Sequence, residues 1–108
     1  MAVKRRIRLK IQGDHGKVVV RLNGYLDGSG ACQVDHALQR LQETSKGCRL
    51  SLDLGGIRNF EYFGIAILAK SIKSQRSHFE EIILTGLQAS TENVFKRFGL
   101  PSTTAASC

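Results

Sequence analysis

The sequence predicts an α/β domain, a mixed four- to five-stranded sheet with helices packed against it in the order β-β-α-β-α-β-α. Three observations lead there. The 108 residues fit one ordinary domain, and 42% hydrophobic with 23% charged residues describes a chain that folds around a core. The apolar spacing switches repeatedly between a period of two and one near 3.6. Only 6% of residues are aromatic and none is Trp, so Leu, Ile, Val and Ala must supply the packing, as in helix-on-sheet layers. One domain is expected over residues 1–100, with a frayed tail over 101–108, where Ser-Thr-Thr-Ala-Ala-Ser-Cys has no periodic apolar pattern.

The first strand is read from Arg6-Ile7-Arg8-Leu9-Lys10-Ile11, whose strict alternation puts Ile7, Leu9 and Ile11 on one face and the cations on the other. A turn cluster, Gly13-Asp14-His15-Gly16, joins it to a Val-rich strand over Lys17 to Leu22, making a hairpin. Asn23 to Gly30 reads as a glycine-bearing loop. A helix follows, with Ala31, Val34, Ala37, Leu38 and Leu41 at helical spacing and Lys46-Gly47 at its end.

Arg49 to Leu54 is expected to be a buried strand broken by Gly55-Gly56. Gly64 to about Ser77 reads as a second amphipathic helix, packing through Ile65, Leu68, Ala69 and Ile72. Glu81 to Thr85 is a short strand. Ser90 or Thr91 is expected to cap a third helix, with Val94, Phe95 and Phe98 facing inward and Gly99 and Pro101 ending it. The alternation after the hairpin implies parallel central strands with right-handed crossovers.

Charge is unevenly placed. Of the net +7, residues 1–21 hold seven basic side chains against Asp14 alone, whereas the rest of the chain is nearly neutral. Arg6, Arg8 and Lys10 thus form a basic patch that either solvates a strand face or meets nucleic acid or another anionic surface. Three cysteines without a CxxC pair, and no apolar secretory segment at the N-terminus, point to a reducing, cytoplasmic setting. The longest apolar stretch, Ile65 to Ala69, is far below the roughly 20 residues that cross a bilayer.

Catalytic and metal motifs are weak. Gly28-Ser29-Gly30 lacks the third glycine of a dinucleotide fingerprint, where Gln33 stands, and Asp27 occupies the first glycine position of a nucleophile elbow around Ser29. Cys32 and His36 are four apart on the first helix, but no second ligand pair accompanies them. Asp27, Asp53 and Glu61 are all expected at strand ends or in adjoining loops, where they could share one end of the sheet. So short a chain has few loops to wall a cleft around them, and no enzyme activity, cofactor or metal is expected. Asp27 as a helix cap and Asp53 as an acceptor for loop amides account for both residues structurally. The conspicuous segment is Arg58-Asn59-Phe60-Glu61-Tyr62-Phe63-Gly64, with three of the seven aromatic residues just ahead of a helix, as core plugs or as anchors for a partner.

These residues fall into an ordered series: Gly24-Tyr25-Leu26-Asp27, Leu52-Asp53-Leu54-Gly55-Gly56-Ile57, Phe60-Glu61-Tyr62-Phe63-Gly64-Ile65, Leu84-Thr85-Gly86-Leu87, and Val94-Phe95 with Phe98-Gly99-Leu100. Over about residues 5–100 the series resembles the STAS domain of bacterial anti-sigma factor antagonists. The resemblance implies a STAS-like fold and a regulatory module that acts by partner switching, binding an anti-sigma factor that is also a serine kinase and thereby affecting transcription. In that family, phosphorylation of a serine at the start of the second helix reverses binding, because the added charge of about −1.5 to −2 repels a neighbouring carboxylate and is costly to desolvate in an interface. Here the usual Asp-Ser-Ser/Thr-Gly reads Glu61-Tyr62-Phe63-Gly64, and Tyr62 stands at the degenerate phosphoacceptor position. The resemblance therefore implies a binding surface of Asp27, Glu61, Tyr62, Phe63 and Gly64 without serine phosphorylation.

Overall fold

The computed structural model describes residues 7–14, 16–45 and 47–99. Arg6 of the expected basic patch, His15 and the expected tail over 101–108 lie outside them. Four strands and three α-helices follow one another as β1 (Arg8–Asp14), β2 (Lys17–Leu26), α1 (Gly28–Thr44), β3 (Arg49–Phe60), α2 (Tyr62–Gln75), β4 (Glu81–Thr85) and α3 (Ala89–Arg97). A single turn of 3₁₀ helix, Arg76–His78, ends α2. The sheet order is β1-β2-β3-β4, with β1 antiparallel to β2 and the other two pairs parallel.

This order places all the helices together. Two crossovers of the usual right hand, both stepping the same way across the sheet, put α1 and α2 on the same face. They lie side by side there, with the Ser71 hydroxyl donating to the Asp35 carboxylate, and α3 packs beside α2. Alternate residues of the central strands, Val18, Val20 and Leu22, then Leu50, Leu52 and Leu54, then Ile82 and Leu84, meet Ala31, Val34, Leu38, Ile65, Leu68, Ile72 and Phe95 in one core. Each fully buried Leu or Ile contributes roughly 1.5–3 kcal/mol relative to exposure. The opposite face of the sheet carries Lys10, Arg21, Asp53 and Thr85 in one row, and no described helix covers it.

Several elements run past their expected ends. β2 continues through Asn23 to Leu26, and β3 continues through Gly55 and Gly56 to Phe60, because the two strands pair with each other as far as Leu26 and Phe60. The expected break is instead a pair of register shifts. Gly24 takes φ 111° there, and a Cβ on Gly56 would stand 2.8 Å from the Leu22 carbonyl oxygen, so these glycines serve bulges inside the ladder. Helix α1 starts at Gly28 and α2 at Tyr62, ahead of the expected Ala31 and Gly64. Neither Ser90 nor Thr91 caps α3: both lie within it, Thr91 is buried, and Gln88 holds the N-cap position without a side-chain bond. The tertiary packing of Thr91, Val94 and Phe95 draws the first turn earlier than the capping pattern suggests.

Candidate functional site at the C-terminal ends of β2 and β3

The two central parallel strands end side by side, with Tyr25 opposite Asn59 and Leu26 opposite Phe60. Each then feeds directly into a helix, so the first turns of α1 and α2 emerge together from one end of the sheet, the end where α/β folds collect functional groups. The Glu61 N–H donates to the Leu26 carbonyl at 2.9 Å, carrying the pairing one residue past the ladder.

Asp27 closes the first helix. Its Oδ1 accepts from the Gly30 N–H at 2.7 Å, satisfying an amide that the helix itself leaves unpaired, and its carbonyl accepts the first helical bond, from the Ala31 N–H at 2.9 Å. Gly64 permits the second helix to touch this cap: a Cβ there would lie 2.7 Å from the Leu26 carbonyl oxygen and 2.8 Å from the Asp27 carbonyl carbon and oxygen. A larger residue would push α2 away from the strand end.

Glu61 is the N-cap residue of α2, yet its side chain makes no capping bond. It accepts a 2.8 Å hydrogen bond from the Tyr25 hydroxyl instead. That bond, followed by partial desolvation and the negative charges of Glu61 and Asp27, raises the Tyr25 phenol above its ordinary value. Tyr25 stands in the family series but not among the expected binding residues, because the residues around it read as a loop and nothing in their spacing points to Glu61.

The three aromatics divide. Phe60 is partly buried against the core, whereas Tyr62 and Phe63 are 57% and 67% exposed. The Phe63 ring lies across the first turn of α1, where a Cβ on Gly28 would meet it at 2.9 Å. Among the described residues, the other exposed large hydrophobic side chain is Ile11, at 46%. The site thus presents a ridge of two exposed aromatic rings, residue types that interface cores favour, next to the Asp27 and Glu61 carboxylates.

Other expected site residues lie elsewhere. Asp53 does not join Asp27 and Glu61 at one end of the sheet. It pairs with Arg21 in the middle of the β2–β3 ladder, eight residues before Glu61, accepting from the Gly55 N–H at 2.9 Å and standing 3.6 Å from the Arg21 guanidinium. Lengthening β3 to Phe60 moved that strand end away from Asp53. Cys32 and His36 are exposed on α1, and among the described residues no three His, Cys, Asp or Glu side chains form a metal-binding group. Arg8 and Lys10 are exposed on β1. No described helix is long and apolar enough to cross a membrane.

A family model for the STAS domain matches residues 6–104. Among solved structures, the anti-sigma factor antagonist SpoIIAA in its unphosphorylated form is similar at 16% identity and a TM-score of 0.67, over 93% of this chain and 90% of that one. The phosphorylated form of SpoIIAA, described as a Bacillus cell fate determinant, is similar at 14% identity and a TM-score of 0.65, over 85% and 84% of the two chains. A structure of Mglu is similar at 16% identity and a TM-score of 0.66; 74% of this chain is matched, but it spans only 20% of the Mglu chain. At these identities the likeness is one of fold.

Proposed function

The chain belongs to the STAS domain family, and from that premise we propose that it is a non-enzymatic regulatory module that binds a protein partner through Asp27, Glu61, Tyr62, Phe63 and Gly64. The partner class is an anti-sigma factor with serine kinase activity, and the module acts by partner switching in transcription control. The observation that carries this reading is the exposure of Tyr62 and Phe63 at the start of α2, beside a Glu61 carboxylate held by Tyr25. Two aromatic rings on a rigid helix start are the kind of anchor on which binding energy concentrates.

The switch differs from a serine switch. Tyr62 has no hydroxyl close to the backbone, and its phenol reaches outward from an exposed position, where a kinase site shaped for serine does not fit it. The module therefore stays competent to bind, and control comes from the partner or from supply of the module itself.

The test is affinity capture of the tagged chain from a nuclease-treated host lysate at moderate salt, with mass spectrometry of what co-elutes. The expected result is a kinase-like anti-sigma factor, lost with Tyr62→Asp and kept when Arg6, Arg8 and Lys10 are changed to Gln. Nuclease-sensitive recovery of nucleic-acid proteins, lost in the Gln triple variant instead, would transfer function to the basic strand. Stoichiometric phosphate on residues 58–77 that controls capture would overturn the unswitched reading.

A further inference from the structure

Among the described residues, the far edge of β1 carries little of what usually protects a sheet edge. Sheet order places β1 outermost, and among the described residues its only strand partner is β2. All seven residues pair one to one with β2, from Arg8 opposite Asn23 to Asp14 opposite Lys17, without a bulge. Natural edges are usually blunted by shortness, a bulge, a proline or charge, and of these β1 has charge only. Its row of outward N–H and C=O groups is continuous enough to receive another strand.

The pleat gives this edge two different sides. Arg8 and Lys10, with Gln12, are exposed on the helix-free face. On the helix side, Ile7 packs against α1, where a Cβ on Gly30 would lie 3.1 Å from its Cγ2, and Leu9 is partly buried. Ile11 emerges beyond that cover and is 46% exposed. Cations alternate with apolar residues along one open edge.

We propose that the outer edge of β1 receives an extended acidic strand from a protein partner, in which carboxylates alternate with apolar side chains. Main-chain hydrogen bonds seat that strand. Its carboxylates stand beside Arg8 and Lys10 on one face, and its apolar residues cover Leu9 and Ile11 on the other. A second copy of this chain fits less well, because two β1 strands paired antiparallel over their full length set Arg8 opposite Asp14 but Lys10 opposite Gln12, which leaves Lys10 without the facing carboxylate that an acidic strand supplies. Nucleic acid is disfavoured for a different reason. Arg21 is engaged by Asp53 at 3.6 Å and by Gln12 at 3.4 Å, and Arg49 stands 3.6 Å from Glu80, so two of the cations that share this face with Arg8 and Lys10 are already partnered, which thins the positive field a phosphate backbone needs. This surface is separate from the ridge of Tyr62 and Phe63, and the inference does not depend on what that ridge binds.

The experiment uses the full chain and a fluorescein-labelled peptide of alternating Glu and Val, followed by anisotropy at low and moderate salt, with amide exchange of β1 read by NMR. The expected result is saturable binding that protects β1 amides from exchange. Binding should weaken by about tenfold or more in the Arg8→Glu, Lys10→Glu double variant, which should instead bind a peptide of alternating Lys and Val. Ile11→Ser should weaken the Glu/Val peptide by a smaller factor while leaving the chain folded, since the side chain is already half in water. Absence of saturable binding would overturn the proposal. So would equal binding of a peptide of the same composition with its glutamates clustered, or of a short DNA duplex, with unchanged β1 exchange, because either result reduces the edge to a site of charge attraction.

Discussion

The Tyr25 hydroxyl donates to the Glu61 carboxylate across the ends of β2 and β3, and in doing so takes that carboxylate away from the helix that Glu61 precedes. Asp27, in the equivalent place before α1, turns its carboxylate inward to cap the helix. The two acidic residues of the site therefore have different duties: one seals a helix end, and the other is presented on the surface by a tyrosine from the neighbouring strand. The consequences of that division can be measured separately.

Tyr25 titrates above the ordinary 10.0 because its neutral phenol donates to Glu61 and because ionising it beside Glu61 and Asp27 is unfavourable. A group with a raised folded-state value contributes stability that is fully present below its unfolded value and is lost as pH rises through the folded one. The Tyr25–Glu61 contribution should thus be complete below about pH 10 and disappear above it. Glu61→Gln removes the charge, and the Tyr25 midpoint, followed by its ring NMR signals, should fall toward the ordinary value. A midpoint that does not move would refute the coupling.

Asp27→Ala removes the cap on α1 and should lower unfolding free energy by about 1 kcal/mol in urea titration, whereas Asp27→Asn, which can still accept from the Gly30 N–H, should lose only a fraction of that. Equal losses in the two variants would mean that Asp27 stabilises by charge and not by capping.

Gly64→Ala sets two effects against each other. Alanine favours a helix interior over glycine by about 1 kcal/mol, but here its Cβ would meet backbone atoms at 2.7–2.8 Å that cannot yield without moving α2 or β2. Overpacking of this kind costs typically 1–3 kcal/mol, so a net loss is expected. Gly28→Ala crowds the exposed ring of Phe63, which can swing aside, touches Ile67 at an ordinary 3.7 Å, and should cost less. The ranking of the two urea midpoints decides it.

Tyr62→Asp should leave stability within about 0.5 kcal/mol of the parent chain, because the ring is mostly in water and an acidic residue in a first helical turn is mildly favoured. Partner capture should nevertheless fall by about tenfold or more, as expected for loss of a central aromatic anchor. A parallel fall in the urea midpoint would assign Tyr62 to the fold instead of to the contact.

Much of this molecule was legible in local spacing. The alternation of Leu50, Leu52 and Leu54 and the helical recurrence of Ala31, Val34 and Leu38 each report which side of one element faces the core, and all six are buried. Asp27 before the glycines of α1 is a cap by residue type and position alone, and its bond to Gly30 is local. Gly55-Gly56, by contrast, has the composition of a break and lies within a strand, because hydrogen bonds from β2, some 30 residues earlier, hold it there. Where β3 ends determines which carboxylates meet: Glu61 joins Asp27, and Asp53 is left in mid-sheet beside Arg21.

Local spacing along the chain carries the order of the elements, their buried faces and the basic first strand, each read from residues within a turn or two of one another, and the family pattern is the order of such local blocks. The pairing of Tyr25 with Glu61, the seating of Phe63 over Gly28 and the approach of Gly64 to the Leu26 carbonyl exist only in the folded chain. Each of these joins segments more than 30 residues apart, and such contacts depend on strand register and on how closely two backbones come together, neither of which leaves a periodic trace along the chain.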